Sequence, residues 1–139
     1  MELLINKEDL VKRLLILVAM AMAAICMLAG CVGEIKTHTD SGQTIDIGVN
    51  QEFVIALGSN PTTGYMWQVS HDENMLELIE SKYEMGKEAK QDLVGAGGVD
   101  YFRFKTLKTG KTEITLVYKR PWEEPTPQDV TKAFTINIK

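Results

Sequence analysis

The chain has 139 residues, 45% of them hydrophobic and 24% charged, with a formal net charge of −4. That length suits one domain with a core of its own. The mild acidic balance, with no cluster of Lys and Arg, excludes a nucleic-acid surface.

The first thirty residues are organised as an export signal rather than as a fold. Lys7, Lys12 and Arg13 make a basic start, and no charged residue occurs from Leu14 to Gly33. These are the n-region and h-region of such a signal. The apolar run ends in Leu28-Ala29-Gly30-Cys31, which resembles a prokaryotic lipobox. Small side chains there enter a peptidase, and the Cys31 thiol takes the lipid. Two acyl chains anchor stably where one binds only marginally. The uncharged run is also just long enough to span a bilayer, and simple secretion is the third alternative. All three place the rest of the chain outside the cytoplasm.

The expected division is a signal over 1–30, a polar tether over 31–43 and a domain over 44–139. Cys26 leaves with the signal and Cys31 carries lipid, so the domain is expected to hold without a disulfide, on its core alone.

From Ile45 onward, apolar residues alternate at period two. Ile45, Ile47 and Val49 open the pattern. Phe53, Ile55 and Leu57 follow in Glu52–Leu57, then Trp67 and Val69 in Tyr65–Ser70. Leu76–Tyr83 puts Leu76, Leu78 and Glu80 on one face. Tyr101–Leu107 carries Phe102 and Phe104, Lys111–Arg120 carries Ile114, Leu116 and Tyr118, and Lys132–Ile138 carries Phe134, Ile136 and Ile138. Alternation with β-branched and aromatic residues marks half-buried strands. The reading is all-β: an immunoglobulin-like β-sandwich of about seven strands.

Three connections are irregular. Asn60-Pro61-Thr62-Thr63-Gly64-Tyr65 is longer than a tight hairpin needs. Pro61 fixes its own φ and pushes Asn60 toward extended geometry, and Gly64 can take a positive φ. The second, Glu84–Gly98, ends in Leu93-Val94-Gly95-Ala96-Gly97-Gly98. The third opens with Arg120-Pro121-Trp122 and contains three prolines. Successive antiparallel strands alternate in direction, so these three connections should share one end of the sandwich. A slim central loop would then stand between a glycine-rich flank and a tryptophan-bearing one. Trp and Arg dominate interface energies more often than other residues.

Taken together and in order, the three stretches resemble the signature loops of the chagasin-like inhibitors of papain-like cysteine peptidases. The resemblance covers roughly residues 40–139. It implies an immunoglobulin-like fold and a reversible, tight, competitive inhibitor that plugs a peptidase cleft. The implied contacts are Asn60, Pro61, Thr62, Thr63, Gly64 and Tyr65 in the centre, with Thr63 and Gly64 closest to the catalytic cysteine. Leu93, Val94, Gly95, Ala96, Gly97 and Gly98 would reach the non-primed side, and Arg120, Pro121 and Trp122 the primed side.

Several of these residues carry a structural alternative. Tyr65 is as well suited to core as to contact, and Asn60 to capping its own loop. Arg120 could brace the central loop, and Trp122 could lid the sandwich. Trp67, mid-strand, is expected in the core.

Enzymatic activity is not expected. His38 and His71 are the only histidines, no metal-ligand spacing occurs, and no nucleophile elbow appears. No cofactor is implied. The expected partners are papain-like cysteine peptidases and a membrane reached through lipid on Cys31, with the domain a monomer. The rival is a lipid-anchored binding module that uses the same loops on a partner other than a peptidase.

Overall fold

The computed structural model describes residues 7–27, 33–86 and 97–139. Cys31 and Leu93, Val94, Gly95 and Ala96 therefore lie outside the described residues. The chain forms two compact units, residues 1–34 and 35–139.

The first unit holds one helix, α1 (Lys7–Met27). Five charged residues occupy its first two turns, Lys7, Glu8, Asp9, Lys12 and Arg13. Its uncharged part, Leu14–Met27, extends about 21 Å, short of a hydrocarbon core of about 30 Å. Among the described residues no helix is long and apolar enough to cross a membrane.

The second unit is all-β. Its strands are β1 (Lys36–His38), β2 (Thr44–Ile47), β3 (Glu52–Ser59), β4 (Met66–Ser70), β5 (Leu76–Met85), β6 (Gly98–Thr106), β7 (Gly110–Lys119) and β8 (Val130–Ile138). They form two four-stranded sheets, ordered β1-β3-β6-β5 and β2-β8-β7-β4. The inward residues of both sheets make one core: Ile45, Phe53, Ile55, Leu57, Leu76, Phe102, Phe104, Ile114, Leu116, Phe134, Ile136 and Ile138. These are the positions that period-two alternation selects. Burying each side chain of this size stabilises the fold by about 1.5–3 kcal/mol before chain entropy is counted. Trp67, Val69 and Leu78 pack at the margin of that core.

The structure corrects the strand reading in two places. Eight strands form, not seven. The extra one, β1, lies in the stretch read as tether. Lys36-Thr37-His38 has no apolar alternation to betray it. It is held by pairing with Phe53, Val54 and Ile55 of β3 and by the His38 ring, edge-on to Phe53 at 6.3 Å. Burial, and then the Lys36 ammonium, lower the pKa of His38.

The alternation of direction along the chain holds, and two edge pairings are parallel because they join strands an even number of steps apart, β1 with β3 and β2 with β8. Finally, Glu80 does not share a face with Leu76 and Leu78. A bulge between Leu78 and Glu80 shifts the register, a known way of re-aiming side chains. Glu80 then stands opposite Arg103, and Ile79 is left exposed.

The register fixes which connections share a pole. Ser59, at the end of β3, pairs with Gly98 at the start of β6, and Met85, at the end of β5, pairs with Gly98 from the other side. In the second sheet Met66 pairs with Lys119, and Tyr118 with Val130. The six residues 60–65 link β3 to β4 across the two sheets. Connections 60–65, 86–97 and 120–129 therefore leave the same pole. At the opposite pole the buried Thr106 hydroxyl fastens the turn after β2, donating to the Gly48 carbonyl at 2.7 Å and accepting from the Gln51 N–H at 3.0 Å.

Candidate functional site

The central loop is a single 3₁₀ turn, Pro61–Thr63, between an Asn60 cap and Gly64. Asn60 is extended (φ −136°, ψ 88°), as the residue before proline should be. Its side-chain oxygen accepts from the Thr62 N–H at 3.3 Å and from the Thr62 hydroxyl at 2.6 Å. Its carbonyl accepts from the Thr63 N–H at 3.1 Å and the Thr63 hydroxyl at 2.7 Å. The Gly64 N–H closes the turn onto the Pro61 carbonyl at 3.0 Å. Gly64 has φ +79° and lies against the Trp122 ring, so a Cβ there would come within 2.8 Å of ring atoms. The positive φ requires a glycine there, while the exposed indole could move aside for a Cβ. Pro61, Thr62 and Thr63 form the exposed crest.

The crest is braced from the 120–129 connection. Arg120 Nε donates to the Thr63 carbonyl at 3.0 Å, and Nη1 to the Glu123 carboxylate at 3.1 Å. The guanidinium lies 4.9 Å over the Tyr65 ring, a cation–π contact. Beneath it Tyr65 packs on Tyr118 at 5.3 Å, and Tyr118 on Trp67 at 4.9 Å. The Tyr118 hydroxyl accepts from the Asn60 N–H at 2.8 Å. Trp67 Nε1 donates to the Gly58 carbonyl at 3.0 Å. A stack of four side chains thus carries the loop down to the core. Its members come from two separate stretches of chain, 65–67 and 118–120.

Trp122 is 69% exposed and projects from the same pole. On the other flank Gly97 sits close to β3: a Cβ there would come within 2.9 Å of the Ser59 carbonyl oxygen. Thr63, Gly97 and Trp122 are therefore neighbours around one pole. Gly98, read as loop, is the first residue of β6.

The alternatives raised by the sequence resolve as follows. Asn60 does cap its own loop, Arg120 does brace the crest, and Trp122 is no lid. Tyr65 is half-buried as part of the supporting stack, with its hydroxyl donating to Gln128 Oε1 at 3.3 Å. Trp67 is half-buried rather than fully core.

Sequence reasoning missed the hydroxyl of Tyr118 as a support and Glu123 as the partner of Arg120. The signal for Tyr118 was present: an inward tyrosine near a strand end needs a partner for its oxygen. Among the described residues no group of three or more His, Cys, Asp or Glu side chains is placed to hold a metal.

Residues 46–138 match the family described as Chagasin family peptidase inhibitor I42. The chain belongs to the chagasin family. It is 33% identical over 106 residues to amoebiasin-1 of Entamoeba histolytica, covering 74% of this chain and 97% of that protein. To chagasin of Trypanosoma cruzi it is 33% identical over 109 residues, covering 74% and 94%. Among solved structures it resembles the crystal structure of the cysteine protease inhibitor EhICP2 from Entamoeba histolytica. The TM-score is 0.67 at 26% identity, over 77% of this chain and 99% of that one. A chagasin-family protein is an inhibitor and not an enzyme, and these relatives share its all-β architecture.

Proposed function

We propose that the protein is a reversible, tight-binding inhibitor of papain-like cysteine peptidases, docking by the pole that carries Thr63, Gly97 and Trp122. The observation that carries this reading is the braced crest: Thr62 and Thr63 stand exposed, while Arg120 holds the Thr63 carbonyl at 3.0 Å. Proximity of small hydroxyls and a narrow backbone lets the crest enter a cleft. A papain-type cysteine there is a thiolate beside a protonated histidine, and the crest covers both.

The same bonds explain why the crest is not cut. Attack needs a carbonyl held in line with the nucleophile. The carbonyls of Asn60, Pro61 and Thr63 are each engaged inside the domain, and the backbone is coiled rather than extended. Rigidity also lowers the cost of binding, since little freedom is lost on docking. Trp122 and the Arg120-Pro121 stem cover the primed side of the cleft in this reading. The segment Leu93-Val94-Gly95-Ala96-Gly97-Gly98 covers the non-primed side. Interfaces of this kind are among the tightest known for their size.

The test is a titration of the protein into several papain-like peptidases, with a serine peptidase as control. Competitive inhibition confined to the cysteine enzymes is expected, and no inhibition at micromolar protein overturns the reading. We also propose that the domain acts as a monomer outside the cytoplasm, exported by residues 1–30 and anchored by lipid on Cys31. The support is the Leu28-Ala29-Gly30-Cys31 sequence after an uncharged run. Labelled fatty acid should enter the unmodified protein and not Cys31→Ser, and equal labelling of the two, or of neither, would overturn the lipid anchor.

A further inference from the structure

The last peptide of the crest, between Thr63 and Gly64, is held differently from the others. The Asn60 carbonyl accepts from the Thr63 N–H and hydroxyl, and the Pro61 carbonyl from the Gly64 N–H. Those bonds lie inside the turn. The Thr63 carbonyl has its partner outside it: Arg120 Nε, at 3.0 Å and 57 positions along the chain. Gly64, at φ +79°, ends the coil, and Met66 begins an extended strand. The bond from Thr63 to Gly64 is therefore the one at which the coiled crest can open into the extended form that a peptidase cuts.

The guanidinium that holds this carbonyl is fixed on two further sides. Nη1 donates to the Glu123 carboxylate at 3.1 Å, and the group lies 4.9 Å over the Tyr65 ring, which packs on Tyr118. The Trp122 ring lies against Gly64. Both ends of the peptide are thus covered from one connection, 120–129. A donor on a carbonyl polarises it, which alone would favour attack. Direction outweighs that effect. Acyl transfer needs the oxygen in the enzyme's own oxyanion hole, and losing one donor there costs about 10²–10³ in rate. An oxygen committed to Arg120 is turned back onto the domain.

We propose that Arg120 is the positioning residue that keeps the protein an inhibitor and not a substrate, by turning the Thr63 carbonyl away from the peptidase's oxyanion hole. This rests on the inhibitory reading and deepens it. Without the guanidinium the carbonyl turns outward, and the cleft runs its ordinary reaction. The thiolate adds to the Thr63 carbonyl carbon, and the bond to Gly64 breaks. The imidazolium gives its proton to the Gly64 nitrogen, and water then releases Thr63 as a carboxylate from the thioester.

The experiment incubates the full-length protein, Arg120→Gln and Thr106→Ala with papain, each above its inhibition constant. Residual peptidase activity, melting temperature and the masses of the chains are followed. Thr106→Ala loosens the opposite pole, where the hydroxyl fastens the turn after β2, and so reports loss of stability alone. Inhibition by Arg120→Gln should decay with time. Fragments 1–63 and 64–139 should appear at least about a hundredfold faster than from the unmodified protein. Thr106→Ala should melt lower and yield no such pair. Arg120→Gln that stays intact, while the unmodified protein inhibits, overturns the guarding role alone. Equal cutting of Thr106→Ala at the same bond overturns it too, by making the cut a sign of general loosening. If the unmodified protein does not inhibit papain or any other papain-like peptidase, the inhibitory reading fails and the guard falls with it.

Discussion

Thr63→Trp should weaken inhibition of papain-like peptidases by at least about a hundredfold, some 2.7 kcal/mol of binding, while the protein melts within a few degrees of the unmodified chain. The two effects separate because Thr63 is exposed at the crest and contributes only local bonds. Its hydroxyl donates to the Asn60 carbonyl at 2.7 Å and accepts from the Tyr65 N–H at 3.4 Å. Losing one solvent-exposed hydrogen bond costs about 1 kcal/mol or less, and the Arg120 brace uses the Thr63 carbonyl, which the substitution keeps. An indole at the crest, by contrast, widens the one part of the pole that is narrow. The measurement is an inhibition constant and a thermal melt on the same preparation. A fall in melting temperature proportionate to the loss of inhibition would make this loop a structural element instead. Inhibition retained would remove the crest from the interface altogether.

Most of the sandwich is legible in the sequence because seven of its strands each bury large side chains at alternate positions. Phe53 and Ile55, Ile114 and Leu116, and Phe134 and Ile136 could hardly lie on a helix face together. β1 escapes because an edge strand of Lys36-Thr37-His38 is held by backbone pairing and one ring contact, and neither depends on a hydrophobic period. The bulge at Ile79 escapes because an inserted residue looks like one more apolar residue in a run. The convergence of the three connections follows from strand direction alone, and the parallel edges β1 and β2 do not disturb it. They precede the first of those connections. What could not be read is the bracing. Arg120 and Thr63 are 57 positions apart, and nothing in either local sequence indicates that the guanidinium will lie on Tyr65. The reading of Arg120 as brace or contact could only be left open until the distances were known.

Gly98→Ala should cost more stability than any substitution on the exposed crest, and it should take inhibition down with the fold. A Cβ at Gly98 would sit inside the Glu84 carbonyl oxygen and 2.6 Å from the Tyr83 hydroxyl, with the ring carbon behind it at 2.7 Å. The tyrosine ring could swing away; the carbonyl belongs to β5, which pairs with β6 from Leu76 to Met85, and can move only if the strands part. Gly97 and Gly86 stand in similar contacts, within 2.9 Å of the Ser59 carbonyl oxygen and 2.8 Å of the Gly97 carbonyl oxygen respectively. Three glycines thus let the ends of β3, β5 and β6 close together at the pole that carries the three connections.

Overpacking of this kind costs about 1–3 kcal/mol, and each kcal/mol lowers the melting temperature of a domain this size by about 4–8 °C. A drop on the order of 10 °C is expected, with weaker inhibition because the glycine-rich flank is pushed away from the crest. Tyr83→Ala should restore only part of the loss in the double variant, since the Glu84 carbonyl remains. Full rescue would mean that the tyrosine ring alone sets the limit. A Gly98→Ala protein that melts like the unmodified chain would mean that these strands do not approach as closely as described. The close packing that positions the flank would then have to be sought elsewhere in the pole.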